Sequence, residues 1–315
     1  MKKHRFLASA TGMFAAVVLM FSGGANSASS FVKYSPSNPD YPQKVDFVAK
    51  CFVTHTLPDD PILYPNTPGA AHNHTFGATA ANAYSTADSL ARTATNCTMT
   101  RDHAAYWQPT IYNDGVPVLP YEMRAYYRIG TFDATQIRPI PFGLKMIVGN
   151  AMATTAQTDG TTGFQCRNLK VGNTVPRQTT PPICPVGDFL ESSVWFNNCW
   201  DGVNLWKADR SHMSYASPTE KCDAAHPVRL PRLVLAMRFP TNALRGTITL
   251  ATMAGMTPNK YSLHADFINA WQPETMAALV KYCLHASIAC ETVSNSRLPP
   301  GMVLPADTPP PTTVG

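Results

Sequence analysis

The chain has 315 residues, 25 Lys and Arg against 20 Asp and Glu, a net charge of +5 and only 14% charged side chains. It holds no basic run, no Arg-rich helix and no acidic tail, which argues against nucleic acid as a partner, because phosphate binding needs a concentrated positive surface. Thr, Asn, Ser, Pro and Gly must carry the surface, as suits a secreted protein better than a cytosolic one.

The N-terminus reads as an export signal. Lys2, Lys3, His4 and Arg5 form a basic start, 6–21 is an apolar run broken only by small residues, and Gly23 to Ala28 offers small residues for cleavage. The run is short for a membrane-spanning helix, and no later stretch is long and apolar enough to span a bilayer, so stable membrane insertion is not expected. Removing residues 1–28 takes away Lys2, Lys3 and Arg5 and leaves 22 cationic against 20 acidic side chains, a mature charge near +2. The expected location is extracellular, in the cell wall or in the periplasm.

Between 29 and 292 the length suits a single globular domain. Val45 to Val48 starts one strand candidate. A short helix is expected over 87–93. Tyr106 to Tyr112 and Glu122 to Ile129 flank Asn113-Asp114-Gly115 and Pro120, a hairpin-like signal. Leu144 to Val148, Leu233 to Phe239, Thr247 to Thr252 and Tyr261 to Phe267 are further strand candidates. The stretch 151–198 shows little periodicity and many Thr, Gly and Pro, and reads as a pinned binding or lid loop. Pro273 opens a helix whose apolar residues Met276, Leu279, Val280 and Cys283 keep helical spacing. Residues 293–315 form a Pro/Thr-rich tail, expected to be extended and disordered. Many short strands with long loops predict a mostly β fold, a sandwich or jelly-roll-like core with long disulfide-pinned loops and one C-terminal helix.

All eight cysteines follow the signal, which argues for disulfides in an oxidising compartment. No Cys-x-x-Cys pair supports a thiolate zinc site. Sequence does not fix the connectivity. Local order favours Cys283–Cys290, and Cys51–Cys97, Cys166–Cys184 and Cys199–Cys222 are the accompanying guess.

The chemistry-bearing residues are scattered. On an extended backbone alternate residues share a face, so His72 and His74 form one dyad and His264 and Asp266 another. Two such dyads on neighbouring strands would gather donors for one divalent metal ion. Asp266 is a ligand or orients a histidine. Asp201 and His212 are the candidate general base and acid, and Trp200, Asn204 and Ser211 the candidate ligand-binding groups. Each has a plainer alternative: two loop histidines, a core-filling Trp200, an Asp201–Gly202 turn. Ser211 and His212 point apart in an extended chain, and no Gly-x-Ser-x-Gly elbow is present, so a serine hydrolase is disfavoured. His103 and His226 stay ambiguous.

In chain order, Asp60-Pro61-Ile62, His72-Asn73-His74, Asn96-Cys97-Thr98, Tyr106 to Tyr112, Pro141 to Leu144, Cys199-Trp200-Asp201-Gly202, Ser211-His212, Cys222, His226-Pro227 and His264-Ala265-Asp266-Phe267 resemble a known family. It is a group of secreted fungal and bacterial proteins described as a domain of unknown function, in fungi often found beside a WSC carbohydrate-binding domain. The resemblance covers about 60–283. It departs at Ala270-Trp271, where Gly-Trp is expected, and at Thr75 to Ala78, where a more glycine-rich run is expected. It implies that His72, His74, Trp200, Asp201, Asn204, Ser211, His212, His264 and Asp266 meet in one pocket, and that the protein works on a polysaccharide or cell-wall component.

Two functions fit these residues. One is a metal-assisted hydrolase or lyase acting on carbohydrate, with His72, His74, His264, Asp266 and also His212 as candidate ligands. The other is a non-catalytic glycan-binding or cell-wall protein that uses the same pocket.

Overall fold

The structure is a computed structural model that describes residues 31–35, 37, 44–130, 133–217 and 221–308. The expected export signal and the last seven residues lie outside the described residues.

Twelve strands build two main sheets. They are β1 (Asp46–Cys51), β2 (Val53–Leu57), β3 (His74–Ala78), β4 (Ala105–Pro109), β5 (Glu122–Arg128) and β6 (Lys145–Gly149), then β7 (Thr162–Asn168), β8 (Gly172–Gln178), β9 (Phe189–Trp195), β10 (Arg232–Arg238), β11 (His264–Ile268) and β12 (Glu291–Val293). The larger sheet has the order β8-β7-β9-β10-β5-β1-β12 and the smaller β2-β3-β4-β11-β6. Only β1 and β12 pair in parallel; the other neighbours in both sheets are antiparallel.

Alternation explains the layering. In β5, Met123, Ala125 and Tyr127 point into the core while Glu122, Arg124, Tyr126 and Arg128 take the other face. In the smaller sheet Tyr106, Met146, Val148, Ala265 and Phe267 point inward. The two inner faces form one core, with Phe47 stacked on Tyr127 at 4.7 Å and Tyr106 against Phe267 at 5.3 Å. Burial of each such ring contributes roughly 1.5–3 kcal/mol. Polar groups inside this core are paired: the Tyr106 and Tyr127 hydroxyls meet at 2.7 Å, Trp271 donates to both, and Tyr106 also donates to Asp102. Gly77 lets the sheets approach, since a Cβ there would lie 2.3 Å from the Met123 methyl. The mostly β sandwich expected from the sequence is the observed fold.

Local differences have physical reasons. Residues 151–198 are no irregular lid: they supply β7, β8 and β9. Their strands are rich in Thr, Gln, Ser and Asn, so hydropathy hides an alternation that Phe164, Cys166 and Val194 carry into the core. The Asp114-Gly115 turn, with φ of 51° and 79°, joins Ile111–Asn113 to Val116–Val118, while Glu122–Arg128 crosses into the larger sheet. The helix Pro273–Leu279 continues as a wider π turn over Val280–His285. The expected tail is bound to the domain as far as residue 308. Arg101 pairs with Asp307 at 2.9 Å, Arg297 donates to the Cys290 and Thr292 carbonyls, and Met302 is buried. The disulfides are Cys51–Cys97, Cys166–Cys184, Cys199–Cys222 and Cys283–Cys290. No helix among the described residues is long and apolar enough to cross a membrane.

The outer faces of the two sheets differ. Loops cover that of the smaller sheet and bury a second apolar cluster there, which includes Ile62, Phe76, Leu90, Trp107, Ile147 and Ile268. That of the larger sheet carries rows of charged side chains, described below.

Candidate metal centre

The centre sits on the covered outer face of the smaller sheet, at the end where β3 and β11 begin and β4 and β6 finish. His74 pairs with Pro109, and Asp266 with Trp107, so antiparallel register sets His264 level with Pro109 as well. The two histidines therefore flank one proline of the strand between them. The dyads lie on strands separated by β4, not on adjacent ones as the sequence suggested. Their long side chains bridge the gap: His74 Nε2 and His264 Nε2 are 3.1 Å apart. His72, just before β3, places its ring 4.2 Å from that of His74 and 4.9 Å from that of His264. One ligand atom from each of the three lies within 4.8 Å of the others.

Hydrogen bonds fix the tautomers. His74 Nδ1 lies 2.9 Å from the Asp59 carbonyl and His264 Nδ1 lies 2.8 Å from the Ser262 carbonyl. A carbonyl only accepts, so both Nδ1 atoms carry the proton and both Nε2 atoms present lone pairs. His72 turns Nδ1 to the Met253 sulfur at 3.3 Å and leaves Nε2 buried without a partner. Burial holds all three imidazoles below their ordinary range, His72 to about 4 and His264 to about 3, with His74 lowered by burial and by its two neighbours. At neutral pH they are uncharged. Two lone pairs facing each other at 3.1 Å make no hydrogen bond; a cation between them relieves the repulsion. Two nitrogens bound at about 2.05 Å to a tetrahedral ion lie roughly 3.3 Å apart, close to this separation.

Asp266 lies beside this cluster. Its Oδ2 is 3.7 Å from His264 Nε2, and neither carboxylate oxygen has a hydrogen-bond partner although the residue is fully buried. Burial first, and then Asp60, pushes its carboxyl well above the usual range. An isolated carboxylate at such a place costs several kcal/mol unless it is protonated or meets a cation. The three clustered imidazoles are donors of the kind a first-row divalent ion takes, and the carboxylate of Asp266 stands beside them. A second grouping, Cys51, Cys97 and Asp102, does not qualify, because both sulfurs are joined in a disulfide.

A cavity of about 120 Å³ opens on the centre, lined among others by Asp60, Tyr64, His72, Arg210, His264 and Asp266. Asp60 lines this cavity; its Oδ1 accepts from the N–H groups of Ile62 and Leu63, and burial raises its carboxyl. Arg210 has a left-handed φ of 61° and donates to the Gly149 carbonyl. Neither residue carried a role in the sequence reading; Asp60 was visible only as part of a motif. Asp59, whose carbonyl accepts from His74 Nδ1–H, also ties two loops, its carboxylate accepting from Gly69 N–H and Ala83 N–H.

The other candidates stand elsewhere. Asp201 Oδ1 accepts from the N–H groups of Val203 and Asn204, and Oδ2 accepts from the Asn204 amide. Burial pushes the Asp201 carboxyl up, but these donors outweigh it and hold the group below its ordinary range. Trp200 donates to the Asn204 carbonyl and packs, half-buried, against the main core. His212 bonds the Lys145 carbonyl at the far end of β6 from Gly149, and its own carbonyl accepts from Asp201 N–H. Ser211 donates its N–H to Asp209, and its carbonyl accepts from His226. These five residues form a separate turn network, and none of them lines the cavity. His103 bonds the Thr93 carbonyl.

A family model described as a domain of unknown function (DUF1996) matches residues 60–271, and the chain belongs to that family. No curated protein and no solved structure matches the chain.

Proposed function

We propose that this member of the DUF1996 family is a secreted metal-dependent enzyme, a hydrolase or lyase acting on carbohydrate, with one divalent ion held by His72, His74, His264 and Asp266. The observation that carries the reading is the convergence of three buried, uncharged imidazoles, two of them held with an Nε2 lone pair, beside a fully buried carboxylate that has no hydrogen-bond partner among the described residues. Four disulfides suit an oxidising compartment.

A bound divalent ion lowers the pKa of a water or polarises a substrate oxygen. The protein's own residues supply the rest. The Asp59 and Ser262 carbonyls keep His74 and His264 in the ligating tautomer. Asp60, which lines the same cavity and has a raised carboxyl, is the candidate general base, a role for which Asp201, capped by Val203 and Asn204, is poorly placed. Arg210 brings a positive charge to the mouth. The groove of about 640 Å³ lined by Asn73, Tyr112, Thr247, Thr249 and Thr252 lies next along the chain from His72 and Met253. Its hydroxyl and amide groups match the hydroxyls of a neutral sugar.

The test is elemental analysis of protein purified without chelator or affinity tag, beside His264→Ala and Asp266→Asn. The expected result is near-stoichiometric metal in the parent and its loss from both folded variants. Turnover of a polysaccharide panel, read as new reducing ends or as the ultraviolet absorbance of an eliminated product, should disappear with it. A parent that takes up no zinc, copper, manganese or calcium would end the metalloenzyme reading. Metal without turnover would make the centre structural.

A further inference from the structure

The outer face of the larger sheet shows a second built site, unrelated to the metal centre. Register aligns its side chains in rows across the strands. Asp46, Arg128 and Arg232 form one, Val48, Tyr126, Val234 and Trp195 the next, and Lys50, Arg124, Ala236 and Ser193 a third. In the last row Glu122, Arg238 and Glu191 alternate in charge, and Arg238 bonds both glutamates at 2.9 and 2.7 Å. Arg124 and Lys50 also reach Glu122, and Arg167 reaches Glu191.

Arg128 is different. Its guanidinium lies 4.9 Å from the Tyr126 ring and 6.0 Å from the Trp195 ring. Its nearest carboxylate, Asp46, is 3.7 Å from Nε, beyond hydrogen-bond reach. Among the described residues the Arg128 side chain makes no hydrogen bond, and its Nε is buried without a hydrogen-bond partner. Two aromatic rings thus hold a cation whose donor fork is unspent. Two adjoining cavities, about 260 and 370 Å³, share Tyr126, Arg128 and Arg167 in their walls, so Arg128 stands at the middle of one elongated groove. Gln165, Asn173, Ser193 and Thr292 add neutral hydrogen-bonding groups along it.

We propose that this groove binds an acidic polysaccharide, with Arg128 taking a carboxylate or sulfate of the chain through its fork. Cations meet the charges of such a chain, and the neutral side chains between them meet its hydroxyls. The interleaved Glu122, Glu191 and Asp46 break up the positive surface of this face, which disfavours a nucleic acid, whose binding needs a concentrated positive patch.

The test titrates full-length protein with a galacturonate hexamer, a sulfated heparin hexamer, a neutral glucan hexamer and a single-stranded oligonucleotide, by calorimetry at two salt concentrations. Either acidic hexamer, or both, should bind, and the responding one identifies the anion. Binding should weaken with salt and fall at least tenfold in Arg128→Gln, with partial retention in Arg128→Lys, which keeps the charge without the fork. His264→Ala should bind as well as the parent, which separates failure here from failure of the metal centre. Equal affinity in folded Arg128→Gln, equal affinity for the neutral hexamer, or preference for the oligonucleotide would each overturn the proposal. If Arg128→Gln does not fold, Arg128→Lys decides alone: unchanged affinity in it overturns the fork.

Discussion

The outer faces of the two sheets handle buried polar groups in opposite ways. On the larger sheet Glu122 and Glu191 are buried, and each oxygen meets an arginine or lysine that the same sheet provides. On the smaller sheet Asp266 is buried just as deeply and nothing meets it. A complete ionic row can be explained as structure alone. A carboxylate without a hydrogen-bond partner beside three uncharged imidazoles is not explained that way, because its charge is tolerated there only when a cation is bound. The comparison teaches that burial of charge is no sign of function; lack of satisfaction is.

Four measurements would break or sharpen this contrast. The largest effect should come from Arg238→Ala, which strips the shared cation from two buried glutamates. A loss of about 3–5 kcal/mol in urea unfolding is expected, with metal content unchanged. A loss below about 1 kcal/mol would mean that Lys50, Arg124 and Arg167 suffice and the row is redundant.

Acid should reveal the same row. Burial alone would raise the Glu122 carboxyl, but Arg124, Lys50 and Arg238 hold it down to about 2 against an ordinary 4.5. The folded pKa is depressed, so the stability it contributes is present above pH 4.5 and is lost as pH falls from there through 2. The difference is at most about 3 kcal/mol and is reduced by solvent screening of the partly exposed Lys50 and Arg124. Glu122→Gln should flatten that limb of a stability–pH curve, and an unchanged slope would exclude Glu122 as its source.

Asp266→Asn should change sign with metal. In chelated protein it removes an unsatisfied buried acid and should be neutral or stabilising by about 1–2 kcal/mol. In metal-loaded protein it should forfeit the stabilisation that binding gives, about 2.7 kcal/mol at a hundredfold excess over Kd. Thermal melts with and without chelator read both arms; destabilisation in both would make Asp266 an ordinary structural residue.

The smallest effect belongs to the turn network. Asp201→Ala removes three hydrogen bonds of a surface turn and should cost about 1 kcal/mol while leaving metal content and turnover intact. Lost turnover in a folded, metal-loaded Asp201→Ala protein would bring that loop back into the site.

Much of this was legible in residues close together in sequence. The dyads at 72/74 and 264/266 follow from backbone alternation, which is local and survives without a fold. The mostly β class follows from the same alternation; local order favours Cys283–Cys290, while the other three disulfides, a guess from the sequence, are fixed by the fold. The cationic face was invisible for a related reason: Arg124, Tyr126 and Arg128 alternate with core residues, so the chain never shows a basic run. Antiparallel pairing gathers what the sequence disperses. The motif at 199–204 misled because its Asp, Asn and Trp are what a turn needs as much as what a sugar site needs, and composition does not separate the two.

The sequence by itself therefore determined which residues share a face within a strand, because the period of two is a property of the backbone. Only the tertiary structure decided which strands lie side by side. That choice set β4 and its Pro109 between the two histidine strands, placed the Asp59 and Ser262 carbonyls where they fix both tautomers, and left Asp266 without a partner. Pairing between segments as distant as Phe47 and Glu291 is governed by the fit of whole core faces, and no local pattern records it.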